Sequence, residues 1–200
     1  MKVPHQTSNF KPAPAGNHIA RLISIIDVGL QDGGQYKDAH KLNIVFELCN
    51  ELMEDGRPFT ISRFYTLSLN KKASLCQMIE AMAGQTIPED KKAEFDLDVL
   101  LGKACMVQVV VEKNDKGEER AKIKTVGAVP KGMTVPPPVN KVTSYDSSNP
   151  NQEVFDGLSD WMKAKITEGV RNLKAMRAGG TFVKSDKPDA GGSDDDDIPF

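Results

Sequence analysis

The sequence predicts a mainly β fold: a small five-stranded Greek-key barrel with one helix inserted after the third strand, followed by a separate C-terminal helix and an acidic tail. Three observations predict it. Leu42, Ile44, Phe46 and Leu48 alternate with Lys41, Asn43, Val45 and Glu47, the period of two that turns one face of a strand to a core and the other to solvent. Leu75, Met78, Ile79 and Met82 recur at helical spacing, directly after the third alternating run. The β-branched run Ala104–Val111 is joined to Glu119–Val126 through Lys113-Asn114-Asp115-Lys116-Gly117, a tight hairpin connection.

Residues 1–16 are polar, hold Pro4, Pro12 and Pro14, and carry Lys2 and Lys11 without an acid, which predicts a flexible basic arm. Residues 17–129 form the barrel domain. Its first strand is the Ile- and Leu-rich stretch Asn17–Asp27, ended by the turn signal Gln31-Asp32-Gly33-Gly34-Gln35. The alternating run at Lys41–Leu48 is the second, and Glu54-Asp55-Gly56 turns it into the third, Phe59–Leu69. Ser68 or Asn70 is placed to cap a helix over Lys71–Ala83 that Gly84 ends. Phe95–Leu101 reads as a helical turn closed by Gly102, and the hairpin supplies strands four and five. Residues 130–152, with Pro136-Pro137-Pro138 and Ser147-Ser148-Asn149, read as a linker, so packing of the body is expected to end near Val129. Residues 153–178 read as one amphipathic helix with a stripe of Phe155, Leu158, Met162, Ile166, Val170 and Leu173, Trp161 beside it, and Gly169 as a local weakness. Residues 179–200 are polar, Gly-rich and acidic, the composition of a disordered tail.

Charge divides the chain. Between Lys184 and Phe200 six Asp face two Lys, so this stretch carries −4 of a net −2 and the rest of the chain +2. A mildly basic body with an acidic end suits a polyanion partner for the body and a separate task for the tail. Cys49, Cys76 and Cys105 are odd in number and widely spaced, which fits reduced thiols packed as small hydrophobes better than a disulfide framework or a zinc site. The N-terminal residues lack the apolar stretch of a signal peptide, and no apolar run approaches the ~18 residues of a membrane span. A cytoplasmic protein without membrane contact is expected.

Five strands with a helix after the third are the element order of the oligonucleotide-binding (OB-fold) barrel, which binds chains across strands two and three and the flanking loops. On those elements Lys41 and Asn43 stand on the solvent side of strand two. Arg63, with either Phe64 or Tyr65 depending on register, lies on strand three. Tyr36 and Lys37 precede strand two, Arg21 lies on strand one, and Lys122 and Lys124 on the last strand, near Lys113 and Lys116. Of these, Arg21, Tyr36, Lys37, Lys41, Asn43, Arg63, Tyr65, Lys122 and Lys124 are the expected DNA contacts. A single strand needs cations for its phosphates and flat partners for its bases.

The most specific feature is Asp194-Asp195-Asp196-Asp197-Ile198-Pro199-Phe200. An aromatic ring and its adjoining α-carboxylate can fill an apolar pocket edged by cations, Pro199 lowers the ordering cost, and the four Asp steer encounter with a basic rim. This segment resembles the acidic tip of bacterial single-stranded-DNA-binding proteins. Elsewhere the chain is more similar to phage-encoded single-stranded-DNA-binding proteins, on the stretches Phe64–Leu75, Phe95–Lys103 and Phe155–Trp161. The resemblance implies a barrel that coats phage DNA during replication or recombination in the host bacterial cytoplasm. It also implies a tip, Asp194–Phe200, that recruits host replication and repair proteins.

Catalytic patterns fail on single residues. Gly127–Gly132 has phosphate-loop spacing but continues with Met133 in place of Lys. Asp96-Leu97-Asp98 lacks the rest of a calcium loop, and His5, His18 and His40 lack metal-ligand spacing. The expectation is no enzyme, no cofactor and no metal. Two other readings remain open: a strand-annealing or recombination mediator that oligomerises through the Phe155–Leu173 stripe, and an adaptor whose barrel binds protein.

Overall fold

A computed structural model of the chain describes residues 11–33, 37–114 and 117–179. Its strands are β1 (Gly16–Gln31), β2 (Ala39–Leu52), β3 (Pro58–Thr66), β4 (Ala104–Lys113), β5 (Glu119–Gly127) and the short β6 (Thr143–Tyr145). The helices are α1 (Ser74–Ala83), α2 (Gln152–Asp156) and α3 (Asp160–Arg177), with 3₁₀ turns at Glu89–Glu94 and Leu97–Leu100. The sheet order is β3-β2-β1-β4-β5, all antiparallel, and β6 lies parallel to β1. The fold is mainly β as expected, and the sheet does not close: among the described residues no ladder joins β3 to β5.

β1 organises the sheet. Along one side it pairs with β2 from Ala20 to Gln31; along the other it pairs with β4 over Gly16–Arg21 and then with β6 over Ser24–Ile26. A register shift between Leu22 and Ser24 inserts one residue against β2. Such a bulge resets the alternation. Leu22 and Ile25 therefore both join the inner cluster, whereas Ile26 and Val28 join a second cluster. The inner cluster also takes the even face of β2, Phe59, Ile61 and Tyr65 of β3, the α1 stripe, and Cys105, Val107, Val109 and Ile123 of the β4–β5 hairpin.

Several boundaries move. β1 continues four residues past Asp27. The N-cap of α1 is Ala73, without a side-chain cap, because Ser68 and Asn70 accept backbone N–H groups of Asn70 and Lys72 in the preceding turns. Gly84 does end α1, at φ +65°. The helix expected over residues 153–178 is two helices, each capped by a side chain: Asn151 accepts from Glu153 and Val154, and Ser159 from Met162. Packing does not stop at Val129. Tyr145 and Ile166 are buried with Ile26 and Val28, and Phe155, Leu158, Met162 and Val170 close around them. The apolar stripe is thus spent on the chain's own sheet, on the face opposite the inner core.

α3 crosses β1 at two glycines. A Cβ on Gly169 would stand 1.9 Å from the Val28 carbonyl oxygen, and one on Gly29 would stand 2.5 Å from the Gly169 carbonyl carbon. Only residues without side chains allow backbones this close. Gly29 also takes φ +72°, open to glycine at no steric cost. Around the crossing, Gln31 Nε2 donates to the Val28 and Lys165 carbonyls at 2.6 and 3.2 Å, and Asn172 Nδ2 donates to the Leu30 carbonyl at 3.2 Å.

Cys49, Cys76 and Cys105 are free thiols. Burial pushes the Cys105 thiol up to about 12, which keeps it protonated and inert.

Candidate nucleic-acid interface

Arg21 and Glu47 are direct partners across the β1–β2 ladder, and both hold the segment after β5. Arg21 donates through Nε to the Pro136 carbonyl at 2.5 Å, through Nη2 to Val135 at 3.1 Å, and through Nη1 to Gly102 at 2.6 Å. Glu47, 1% exposed, accepts from the Val139 and Asn140 backbone N–H groups at 2.8 and 2.7 Å and from Asn140 Nδ2 at 2.7 Å. The stretch read as a linker is therefore a strap clasped to the sheet. Arg21, expected on the DNA, faces backbone carbonyls.

The burial of two further site residues corrects their placement. Tyr65 is 1% exposed and belongs to the inner core. Asn43 is 2% exposed and lies in register between Ile26 and Phe64, both packed in the cluster under α3; its Nδ2 has no hydrogen-bond partner among the described residues. Alternation placed Asn43 on the solvent side correctly for an uncovered sheet, but α3 covers that face. Arg63 is half-buried with its guanidinium carbon 5.3 Å from the Tyr65 ring centroid, and its Nη1 donates to the Ile123 carbonyl at 3.4 Å. It stitches β3 to β5 across the open side of the sheet.

Lys37 and Lys124 are exposed. Lys41 is half-buried on the outer face of β2, opposite Thr66. Lys122 pairs with Glu112 at 3.2 Å. Tyr36, Lys116 and the segment Asp194–Phe200 lie outside the described residues, as does most of the arm over residues 1–16 and nearly all of the tail over 179–200.

The β2–β3 register settles the choice between Phe64 and Tyr65. Asn43 faces Phe64, so Phe64 is on the outer face and Tyr65 on the inner one. There Phe64 meets α3. Its ring centroid lies 6.1 Å from that of Trp161 at an interplanar angle of 68°, an edge-on contact. Lys165 Nζ stands 5.9 Å from the Phe64 centroid and 5.6 Å from the Trp161 centroid. Trp161 is 52% exposed, and α3 carries Lys163, Lys165, Arg171, Lys174 and Arg177 against Asp160 and Glu168. Trp161 and Lys165 were absent from the sequence-derived site. The available signals were a large aromatic beside the apolar stripe and an excess of cations on one helix.

A buried carboxylate fixes the far end of the strap. Asp27 accepts from His40 Nε2 at 2.5 Å and the Gly29 N–H at 2.9 Å on Oδ1, and from Ser147 Oγ at 2.5 Å on Oδ2. Burial alone would push its carboxyl up, but the hydrogen bonds from His40, Ser147 and Gly29 outweigh it and hold it below the ordinary 3.8. A carboxylate lowered in the folded state adds stability that is complete above its unfolded value of about 4 and disappears as pH falls through the folded value. Urea midpoints are therefore expected to drop below about pH 5 less steeply in Asp27→Asn than in the parent. Parallel acid limbs would show that Asp27 is not linked to folding.

Among the described residues no group of His, Cys, Asp and Glu is placed to hold a metal ion, and no helix is long and apolar enough to cross a membrane. A scan against protein-family models finds no match, and a search of curated proteins finds no significant relative.

Proposed function

We propose that the protein binds and coats single-stranded DNA in phage replication or recombination, in the host bacterial cytoplasm, and recruits host replication proteins through Asp194–Phe200. The sheet is read as a partly open OB-fold barrel. Its strand order, with β1 shared between β2 and β4 and with β3 and β5 as the facing margins, and α1 placed between β3 and β4, supports that reading. The observation that carries the function is the run of four Asp followed by Ile198-Pro199-Phe200. The cationic α3 beside exposed aromatic surface supplies what a nucleic-acid surface needs: charge for phosphate and π-faces for bases.

Retardation of a labelled oligo-dT tests it. Binding at low salt is expected, with log affinity falling against log salt by about 0.7 per neutralised phosphate. No retardation at low salt would refute the reading. Removal of Ile198–Phe200 is expected to leave DNA binding intact, or to raise it slightly, and to abolish capture of host replication proteins. Equal capture by the shortened chain would refute the role of the tip.

A further inference from the structure

We infer that Trp161 is a base-stacking residue, and that the N-terminal turns of α3, with Phe64 and Lys165, are the surface on which an unpaired nucleotide lies. The inference rests on the single-strand reading above and names where the strand sits. Trp161 leaves about half of its surface open while its ring is braced edge-on by Phe64. A flat ring held in one orientation costs little further ordering when a base stacks on it. Lys165 lies over both rings, and no ion pair engages it among the described residues. Its charge is available to the phosphate attached to the stacked base. Lys163, by contrast, stands 4.0 Å from Asp160.

The platform is rigid because of how α3 is seated. The Gly29–Gly169 crossing and the bonds from Gln31 and Asn172 fix the helix against β1, and the Ser159 cap fixes its first turn next to Trp161. Lys41 continues the path. It stands on the same outer face of β2, two residues from Asn43, the ladder partner of Phe64, so a strand leaving the Trp161 platform meets another cation. α3 therefore relocates the contact surface: it covers the middle of the sheet face expected to bind DNA and presents its own aromatic and cations instead.

Trp161 is the only tryptophan in the chain, so intrinsic emission reports this site alone. The full chain is titrated with oligo-dT while binding is followed separately by anisotropy of a labelled oligonucleotide. Quenching of the indole is expected to track the anisotropy. Trp161→Ala is expected to weaken binding by about 5- to 150-fold, Trp161→Phe to retain most of the affinity, and Lys165→Gln to reduce the salt slope by about 0.7. Binding seen by anisotropy with unchanged emission, and with Trp161→Phe and Trp161→Ala at parental affinity, would overturn the stacking role and leave the single-strand reading standing. Absence of any anisotropy change at low salt would overturn both.

Discussion

Gly169→Ala is expected to destabilise the chain by about 3 kcal/mol, or to detach α3 altogether. Helix propensity alone predicts the opposite sign, since Ala is favoured over Gly inside a helix by about 1 kcal/mol. The added Cβ, however, would sit 1.9 Å from the Val28 carbonyl oxygen, and the obstacle is backbone, which cannot swing aside. Overpacking of this kind costs about 1–3 kcal/mol where the structure can shift. Here the shift must lift the helix from β1, which also loosens the burial of Ile166 and the bonds made by Gln31 and Asn172. Urea unfolding of parent and variant measures it. A variant as stable as the parent, or more so, would show that α3 does not rest on Gly29.

Glu47→Ala is expected to cost about 3 kcal/mol or more, since each buried donor left without its acceptor costs about 1–3 kcal/mol. Its carboxylate takes three donors from the strap, two of them backbone N–H groups, and truncation leaves them in a site where Glu47 is 1% exposed. Glu47→Gln keeps an acceptor oxygen and is expected to lose less. Because Arg21 still holds Val135 and Pro136, the strap is expected to open from its Asn140 side first. Protease cleavage between Val139 and Val142 should therefore accelerate more than cleavage near Val135. An unchanged melting midpoint together with unchanged cleavage would show that the carboxylate does not retain this segment.

The inner half of the molecule was legible because local pattern decides it. Leu42, Ile44, Phe46 and Leu48 can share one side of a strand only by facing a core, and Leu75, Met78, Ile79 and Met82 can align only on a helix. The outer half depends on partners far along the chain. Asn43 and Lys41 alternate with the core residues as solvent-side positions should, yet only Asn43 is buried, because α3 arrives more than a hundred residues later to cover it. Arg21 on a strand gave no hint of carbonyls at Val135 and Pro136. The choice between Phe64 and Tyr65 turned on one step of register, set by the irregular pairing between Glu47 and Leu52. Gly169 looked like a flaw in a helix because propensity describes a helix alone; its reason is the strand beneath it. The bulge after Leu22, in the interior of β1, likewise hid the two-sided character of that strand.

The side-chain bond from Arg63 to Ile123 has a mechanical consequence. Neighbouring strands elsewhere in the sheet are locked by rows of amide pairs that must shear together. At this seam side-chain contacts, the Arg63 bond and the packing of Ile61, Tyr65 and Ile123 in the inner core among them, take the place of a ladder, so the margins can part with every ladder intact. Amides of β3 and β5 that border this seam should exchange with deuterium sooner than those of β1.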